Sequence, residues 1–347
     1  MRDLAIGVIG TGKMGADHAE TISSVVARAS VRAVVDIDHK RAESVASRLP
    51  SARSIVSVEE LIQSPDIDAI IIATNSDAHT EQVLACVAAG KPVLCEKPLA
   101  PTVAECEKIL RAEQVVGQRL LQVGFMRRFD PAYVELQQQL ASGSIGHPLL
   151  AHCAHRNFGV SSRWEAADTI VSAAVHEFDV MPWLFGREVV GVNWSSPIPI
   201  ASRSLPDPQL IVLELAGGPL VVAEVTMHSY GYEIRCEIVG DKGAIELAGN
   251  ARTARRTRLQ VSEALPEDFR LRFADAYRIE LQSWVDAIHR WRSDPSGNEP
   301  ISGADGWDGY RAAVITEAVI ASMNNGQKTA VNYLPIPDLY RSSRTAS

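Results

Sequence analysis

Apolar runs of strand length alternate with helical stretches along the first third of the chain. Residues 4–9, LAIGVI, and residues 68–74, DAIIIAT, are almost continuously apolar. Such runs are typical of parallel strands that are buried on both faces of a sheet. Residues from about 13 to 28, between these runs, follow a helical pattern. The alternation predicts an α/β domain with a doubly wound parallel sheet.

A different pattern dominates residues 148–270. Runs such as LVVAEVTMH, residues 220–228, alternate apolar and polar positions. Alternation with a period of two is typical of an antiparallel sheet with one covered face. We therefore predict a second, α+β domain with a large, mostly antiparallel open sheet. The expected organisation is a first domain over 1–125, a second over 126–335 and a tail over 336–347.

A glycine-rich turn follows the first predicted strand directly. The sequence GTGKMG has glycines in a GxGxxG spacing at Gly10, Gly12 and Gly15. Gly10 allows a tight turn, Gly12 lets the backbone approach a pyrophosphate, and Gly15 lets the next helix pack closely on the strand. The first helical residues, Lys13 and Met14, would present free backbone N–H groups to the phosphates. The turn therefore predicts a dinucleotide site in a Rossmann domain.

An acidic residue ends the next predicted strand. Asp36 lies 21 residues after Gly15 and can accept hydrogen bonds from adenosine ribose hydroxyls. Its charge would repel a 2′-phosphate, and the next residue is Ile37 rather than arginine. Arg41 lies a turn further on and weakens this preference. On balance the position favours NAD over NADP.

Composition limits the classes of partner. A formal net charge of −8 over 347 residues argues against a nucleic-acid surface, which is normally basic. No apolar stretch reaches the ~18 to 20 residues that span a bilayer, and the first ten residues lack a cleavable signal pattern. The five cysteines are scattered without a CxxC pair, so we expect buried thiols in the reducing cytoplasm. No metal site is expected, because HEFD at 176–179 lacks an HExxH spacing and a clear third ligand.

Several motifs together resemble one family. They are GTGKMG, ATNSDAH at 73–79, CEKPLA at 95–100, VGFMRRFDP at 123–131 and EIVGDKGAIEL at 237–247. In this combination the chain resembles the glucose–fructose oxidoreductase and inositol dehydrogenase family, Gfo/Idh/MocA, over nearly its whole length. The resemblance implies that late helices, beginning near Asp275 and Ser302, pack back on the first domain. It also implies a homo-tetramer or homo-dimer formed through the open sheet.

Within that family, MRRFDPAY, the pair His155 and Asn157, and HEFDVMPWLFG most resemble inositol 2-dehydrogenases. The resemblance implies NAD-dependent oxidation of a ring alcohol of an inositol-like cyclitol, a small polyol. It assigns a substrate pocket and a set of residues along the cofactor. The pocket residues are Lys97, Arg127, His155, Asn157, Ser172, His176 and Asp179, with Tyr232 and Tyr277 as candidates for its wall. The cofactor residues beyond the glycine turn are Thr74, Asn75, His79, Glu96 and Lys97.

Oxidation of a secondary alcohol needs a base for the hydroxyl proton and a positive group for the developing alkoxide. A histidine suits the first role, because its unperturbed pKa of ~6.5 lies near working pH. A lysine suits the second role. We therefore predict His176 and Lys97 as the catalytic pair.

Ser172 stands where relatives of the inositol dehydrogenase type usually carry aspartate. On the α-helix predicted over 170–185, this position shares a face with His176, so an acid there would orient the imidazole. Three interpretations stay open. His176 remains the base with a hydrogen bond to Ser172, or Lys97 takes a larger share of the proton transfer, or the substrate differs from myo-inositol.

Two alternative functions follow. The first is a dehydrogenase or reductase of a sugar or aminocyclitol intermediate in secondary metabolism, which Ser172 keeps open. The second is a non-catalytic NAD-sensing regulatory protein. Such a protein would be expected to lose Lys97 or His176, and both are present.

Overall fold

The computed structural model describes residues 2–197, 205–248, 254–296 and 299–341, so the predicted tail is described only as far as Arg341 and its residues 342–347 lie outside. The strands are β1 Leu4–Ile9, β2 Ala29–Val35, β3 Arg53–Ser54, β4 Ala69–Ile72, β5 Val93–Glu96, β6 Leu121–Gly124, β7 Pro148–Arg156, β8 Val189–Ser195, β9 Gln209–Leu215, β10 Leu220–Thr226, β11 Glu233–Gly240, β12 Ala244–Glu246, β13 Ala254–Thr257, β14 Gln260–Glu263 and β15 Thr329–Ala330. The helices are α1 Lys13–Val25, α2 His39–Ala46, α3 Val58–Gln63, α4 His79–Ala88, α5 Val103–Val116, α6 Pro131–Ala141, α7 Ala166–Thr169, α8 Val175–Phe185, α9 Phe269–Arg272, α10 Ala274–Ser293, α11 Gly306–Asn325 and α12 Asp338–Arg341. None of the helices in these ranges is long and apolar enough to cross a membrane.

The chain forms two compact units. The first contains the residues up to Phe129, Asp275–Ala313 and the described residues from Leu334 onward. The second contains Asp130–Ala274 and Val314–Tyr333, within the described ranges. Each unit therefore combines segments that are distant in sequence.

A six-stranded parallel sheet forms the centre of the first unit. Its strand order is β3-β2-β1-β4-β5-β6, and the apolar residue Val8 of β1 pairs with Val34 on one side and Ile71 on the other. The order reverses direction between β1 and β4, which makes this pair the topological switch point. Ligands of open α/β sheets bind at the carboxyl ends of strands beside such a point. The glycine turn after β1 and Lys97 after β5 both lie at that edge.

A helix from the last quarter of the chain completes the core of the first unit. Leu281, Trp284, Val285 and Ile288 of α10 are buried in one cluster with apolar residues of β1 such as Ile6. Their spacing of three and four residues puts them on one face of α10.

A seven-stranded sheet forms the centre of the second unit, in the order β12-β11-β7-β10-β9-β8-β15. The β7–β10 pair is parallel, whereas the other neighbouring pairs are antiparallel. In β10, Val221, Ala223 and Val225 are buried, and the residues that alternate with them are more exposed. The predicted fold class, a parallel Rossmann sheet with a second, mostly antiparallel sheet, is confirmed.

Candidate functional site

The glycine turn after β1 has no room for a side chain at Gly10 or Gly15, but it is open at Gly12. Gly10 has a φ of +87°, and a Cβ added there would lie 2.6 Å from the carbonyl oxygen of Ala73. A Cβ on Gly15 would overlap the carbonyl oxygen of Gly10. A Cβ on Gly12, in contrast, would meet no atom within 4 Å. The backbone at Gly12 is therefore accessible to a ligand.

Helix α1 begins directly behind this open space. Its N-cap is Gly12, which supplies no side-chain hydrogen bond, and its first turn contains no acidic residue. Lys13 is exposed and Met14 is half-buried. The N–H groups of the first turn, together with the helix dipole, are suited to binding an anionic group.

Asp36, just after β2, is a buried carboxylate that is held from several directions. It accepts hydrogen bonds from the N–H of Thr11 (2.6 Å) and of Asp38 (2.9 Å). The guanidinium of Arg41 donates to both of its oxygens, at 3.1 and 2.7 Å. Burial raises the pKa of Asp36, but the hydrogen bonds from Arg41, Asp38 and Thr11 outweigh it and hold this pKa well below its ordinary value. Asp36 is therefore ionised at neutral pH.

These features together fit a dinucleotide. The open backbone at Gly12 and the uncapped start of α1 suit a pyrophosphate, and the Asp36 carboxylate suits ribose hydroxyls. The Arg41 guanidinium is half exposed and is paired with Asp36. The first unit thus has the chemical groups that NAD requires.

The segment after β4 includes three predicted cofactor residues. The Thr74 hydroxyl donates to Gln82 Oε1 at 2.9 Å, and Asn75 is exposed. His79 is buried, with Nδ1 2.8 Å from the carbonyl oxygen of Pro98 and Nε2 3.2 Å from that of Thr74. Burial lowers the pKa of His79, and these two hydrogen bonds oppose that effect in part. His79 therefore braces the loops after β4 and β5, and its direct contact with the cofactor stays a prediction.

Glu96 and Lys97 lie at the end of β5, where the Lys97–Pro98 peptide is cis. Glu96 Oε1 lies 2.7 Å from His18 Nε2, and Glu96 Oε2 accepts a 3.2 Å hydrogen bond from the backbone N–H of Lys97. Burial lowers the pKa of Lys97, the charge of Glu96 opposes this, and the guanidinium of buried Arg127 lowers it further. The pKa of Lys97 is thus shifted in opposite directions by the charges of its two neighbours, Glu96 and Arg127.

Tyr277, a predicted wall residue, is buried on α10 in the first unit. Its ring meets the ring of His18 edge-on, with centroids 5.7 Å apart. His18 is not among the residues predicted from the sequence. No local spacing could have revealed it, because His18 and its partner Glu96 are 78 residues apart.

The second unit brings three of the predicted pocket residues together. His155 is at the end of β7, and its ring centroid lies 6.2 Å from that of His176 and 5.7 Å from that of Tyr232. All three side chains are buried. Asn157, just beyond β7, is half-buried and its amide nitrogen lies 3.5 Å from the sulfur of Met227.

The helix that carries His176 differs from its prediction. Residues Ile170–Ala174 form a π-helical turn, in which the N–H of Val175 bonds to the carbonyl of Ile170, and α8 begins only at Val175. The wider turn arises because this hydrogen bond spans five residues instead of four. Ser172 is half-buried inside the π turn, and Asp179 is buried on α8.

Glu177 is a second residue that we missed. It is buried, and its Oε2 lies 3.5 Å from Nδ1 of His155. Its position inside HEFD was a usable signal, but the motif pointed equally to Asp179. Among the described residues, no three His, Cys, Asp or Glu side chains are arranged to hold a metal ion.

Comparison with known proteins identifies two adjoining family domains. Residues 4–125 match the model of the GFO_IDH_MocA oxidoreductase family, NAD-binding Rossmann fold. Residues 137–331 match the C-terminal alpha/beta domain of the same family.

Individual relatives match over nearly the full length. The chain is 41% identical to an inositol 2-dehydrogenase of Acidothermus cellulolyticus, over 98% of each chain. It is 42% identical to inositol 2-dehydrogenase 1 of Saccharopolyspora erythraea, over 96% of this chain and 98% of that one. Among solved structures, myo-inositol dehydrogenase from Lactobacillus casei in complex with NAD(H) and myo-inositol is similar, with a TM-score of 0.92 and 32% identity over 98% of this chain and all of that one.

Proposed function

Because the chain belongs to the GFO_IDH_MocA oxidoreductase family, we propose that it oxidises a ring secondary alcohol of an inositol-like cyclitol to the ketone, with NAD as cofactor. The relatives named inositol 2-dehydrogenase support this substrate class. The proposal rests on Lys97, a half-buried lysine at the carboxyl edge of the parallel sheet, on whose pKa the charges of Glu96 and Arg127 act in opposite directions.

We assign Lys97 the role of the positive group. Its ammonium would donate a hydrogen bond to the reacting hydroxyl oxygen and stabilise the negative charge that develops there. Burial strengthens this interaction, because the local dielectric is lower than that of water. The hydride acceptor of the reaction would be bound NAD, held through Gly12, the start of α1 and Asp36.

We assign His176 the role of the base. Its imidazole would take the hydroxyl proton while the carbon gives up hydride, so that the alcohol loses two electrons and two hydrogens to become the ketone. A general base of this kind accounts for ~10²- to 10⁴-fold in rate. Arg127, His155, Asn157, Asp179 and Tyr232 are proposed to bind the remaining ring hydroxyls.

Glu177 supplies a negative charge that Ser172 does not. Its carboxylate lies beside His155, whose ring in turn lies beside His176. We propose that this buried carboxylate supplies in part the negative charge that a serine at position 172 lacks. A charge in a buried setting acts over several ångströms with little screening.

A second candidate function is oxidation of a sugar or aminocyclitol. The specific observation that favours it is Ser172, a small neutral side chain four residues before His176. A substrate that brings its own charge or a bulkier substituent would fit such a position.

The test is NADH formation at 340 nm with NAD and a panel of myo-inositol, scyllo-inositol, aldoses and aminocyclitols. We expect turnover on an inositol, and a loss of at least about 100-fold in kcat for His176→Ala with NAD affinity nearly unchanged. Turnover restricted to aldoses or aminocyclitols would replace the leading proposal with the second. Tight NAD binding without turnover of any polyol would overturn both and favour a regulatory protein.

We also propose a homo-dimer or homo-tetramer formed through the outer face of the second sheet, and a cytoplasmic location. Leu210 and Leu220 are each 39% exposed on that face, where Val212 pairs with Val222. The five buried free thiols support a reducing compartment. Light scattering should give a multiple of the 37.6 kDa chain mass, and Leu220→Asp should lower it. A wild-type mass equal to one chain would refute the oligomer.

A further inference from the structure

We propose that His18 is a positioning residue for this reaction: it fixes the position of the Glu96 carboxylate, the negative charge next to Lys97. This inference rests on the proposed function, in which Lys97 stabilises the alkoxide. His18 belongs to the same helix, α1, whose first turn faces the open backbone at Gly12. One helix would therefore serve both the cofactor and the catalytic lysine.

His18 and Glu96 form a buried pair. His18 is fully buried, Glu96 is 7% exposed, and the two are joined at 2.7 Å between Nε2 and Oε1. A buried carboxylate is costly unless hydrogen bonds compensate for the water it has lost. The His18 contact supplies such compensation.

The Glu96 carboxylate has little freedom to turn. One oxygen is held by His18, and the other accepts from the backbone N–H of Lys97 at 3.2 Å. Gly124 of the neighbouring strand β6 also packs against this carboxylate, because a Cβ added to Gly124 would lie 3.3 Å from the Glu96 carboxyl carbon. Hydrogen bonds therefore fix both carboxylate oxygens, and the group packs closely against β6.

The ring of His18 is itself held in one orientation. The rings of His18 and Tyr277 pack in an edge-to-face arrangement, and Nδ1 of His18 is buried with no hydrogen-bond partner among the described residues. An ionised carboxylate only accepts hydrogen bonds, so Nε2 must carry the proton that is donated to Glu96. The ring therefore acts as a fixed donor.

These contacts matter for Lys97 because its two charged neighbours act in opposite directions. The Glu96 carboxylate favours the charged ammonium, whereas burial and Arg127 disfavour it. If Glu96 loses its donor and turns away, the pKa of Lys97 falls further. The charged lysine is then lost at lower pH, and with it the stabilisation of the alkoxide.

The experiment compares His18→Leu, which removes the donor, with His18→Gln, whose amide can still donate. For each variant we would measure kcat/KM for the polyol from pH 6 to 10, the Kd for NAD, and the titration of Lys97 by ¹³C NMR after reductive methylation. His289→Leu is the matched control, because His289 is also a buried histidine of the first unit, bonded instead to the carbonyl of Arg28 at 3.0 Å.

We expect His18→Leu to lower kcat/KM about tenfold, the scale of one hydrogen bond to a charged group. In His18→Leu, the basic limb of the kcat/KM profile and the NMR titration of Lys97 should both move to lower pH. His18→Gln should restore most of the wild-type position of each, and His289→Leu should shift neither. An unshifted Lys97 titration in His18→Leu would overturn the proposal. So would equal shifts in His18→Leu and His289→Leu. The NMR titration needs no substrate, so it tests the role of His18 even if the wild-type enzyme turns over no polyol. That lack of turnover would refute the proposed function alone.

Discussion

Ser172 adds no negative charge four residues before His176. The two residues are four apart across the junction of the π turn and α8, so both lie in the same region of the second unit. A serine there can share a hydrogen bond but adds no charge. The Glu177 carboxylate lies 3.5 Å from His155, whose ring lies beside that of His176.

Ser172→Asp should therefore change the pH profile of the enzyme. An added carboxylate favours the protonated imidazole, so the acid limb of kcat/KM should move to higher pH by about one unit. The measurement is the rate of NADH formation with myo-inositol from pH 5.5 to 9. Ser172→Asn has nearly the same shape without the charge and should leave the limb in place. If the asparagine variant shifts the limb as far, charge is not the cause.

Helix α5 and the last described helix, α12, are joined by one buried carboxyl group. Glu113 of α5 accepts hydrogen bonds from the N–H groups of Leu120 (2.6 Å) and Leu121 (2.9 Å) and from the hydroxyl of Tyr340 on α12 (2.6 Å). Burial raises the pKa of Glu113 to about 7, although these hydrogen bonds lower it in part. The attachment of α12 to the first unit thus includes a group that titrates near neutral pH.

The sign of the resulting pH dependence follows from that raised pKa. The folded state binds the Glu113 proton more tightly than the unfolded state, whose ordinary pKa is 4.5. The stabilisation is fully present below pH 4.5 and is lost as pH rises to about 7, by up to about 3 kcal/mol. Urea unfolding of Glu113→Gln should lack this decline. Glu107→Gln, on the same helix but with an ion pair to Arg111, should keep it. Parallel curves for wild type and Glu113→Gln would contradict the assignment.

The first unit depends on packing between residues that are far apart in the sequence. Trp284 of α10 is fully buried in the cluster that contains the apolar residues of β1. The stability of the glycine-turn region therefore depends on a segment more than 250 residues away in sequence, as the contact between Ala27 and Gln282 also illustrates.

Trp284→Ala should lower the free energy of unfolding of the first unit by about 3–5 kcal/mol, the usual cost of truncating a buried aromatic side chain. Scanning calorimetry with and without NAD would measure this, and the transition that NAD stabilises should be the one that moves. Trp291→Ala, on the same helix but only partly buried, should cost much less. An unchanged NAD-stabilised transition in Trp284→Ala would show that α10 does not support the nucleotide-binding sheet.

The amino-acid sequence by itself was sufficient to predict the parallel sheet, the glycine turn, the acid at Asp36 and the second, mostly antiparallel sheet. These features are predictable because each depends on neighbours a few residues apart: apolar runs, a glycine spacing, and the alternation of a strand. The motif resemblance extended this to the family and to candidate residues such as Lys97 and His176.

Only the tertiary structure decided which distant side chains meet. The pairing of His18 with Glu96, the Glu177–His155 contact and the burial of Trp284 against β1 join residues whose spacing carries no local pattern. The π turn at Ser172 is likewise absent from the helical periodicity, because one widened hydrogen bond barely changes the order of apolar residues. Packing sets these contacts, since it alone determines which buried polar groups can satisfy one another.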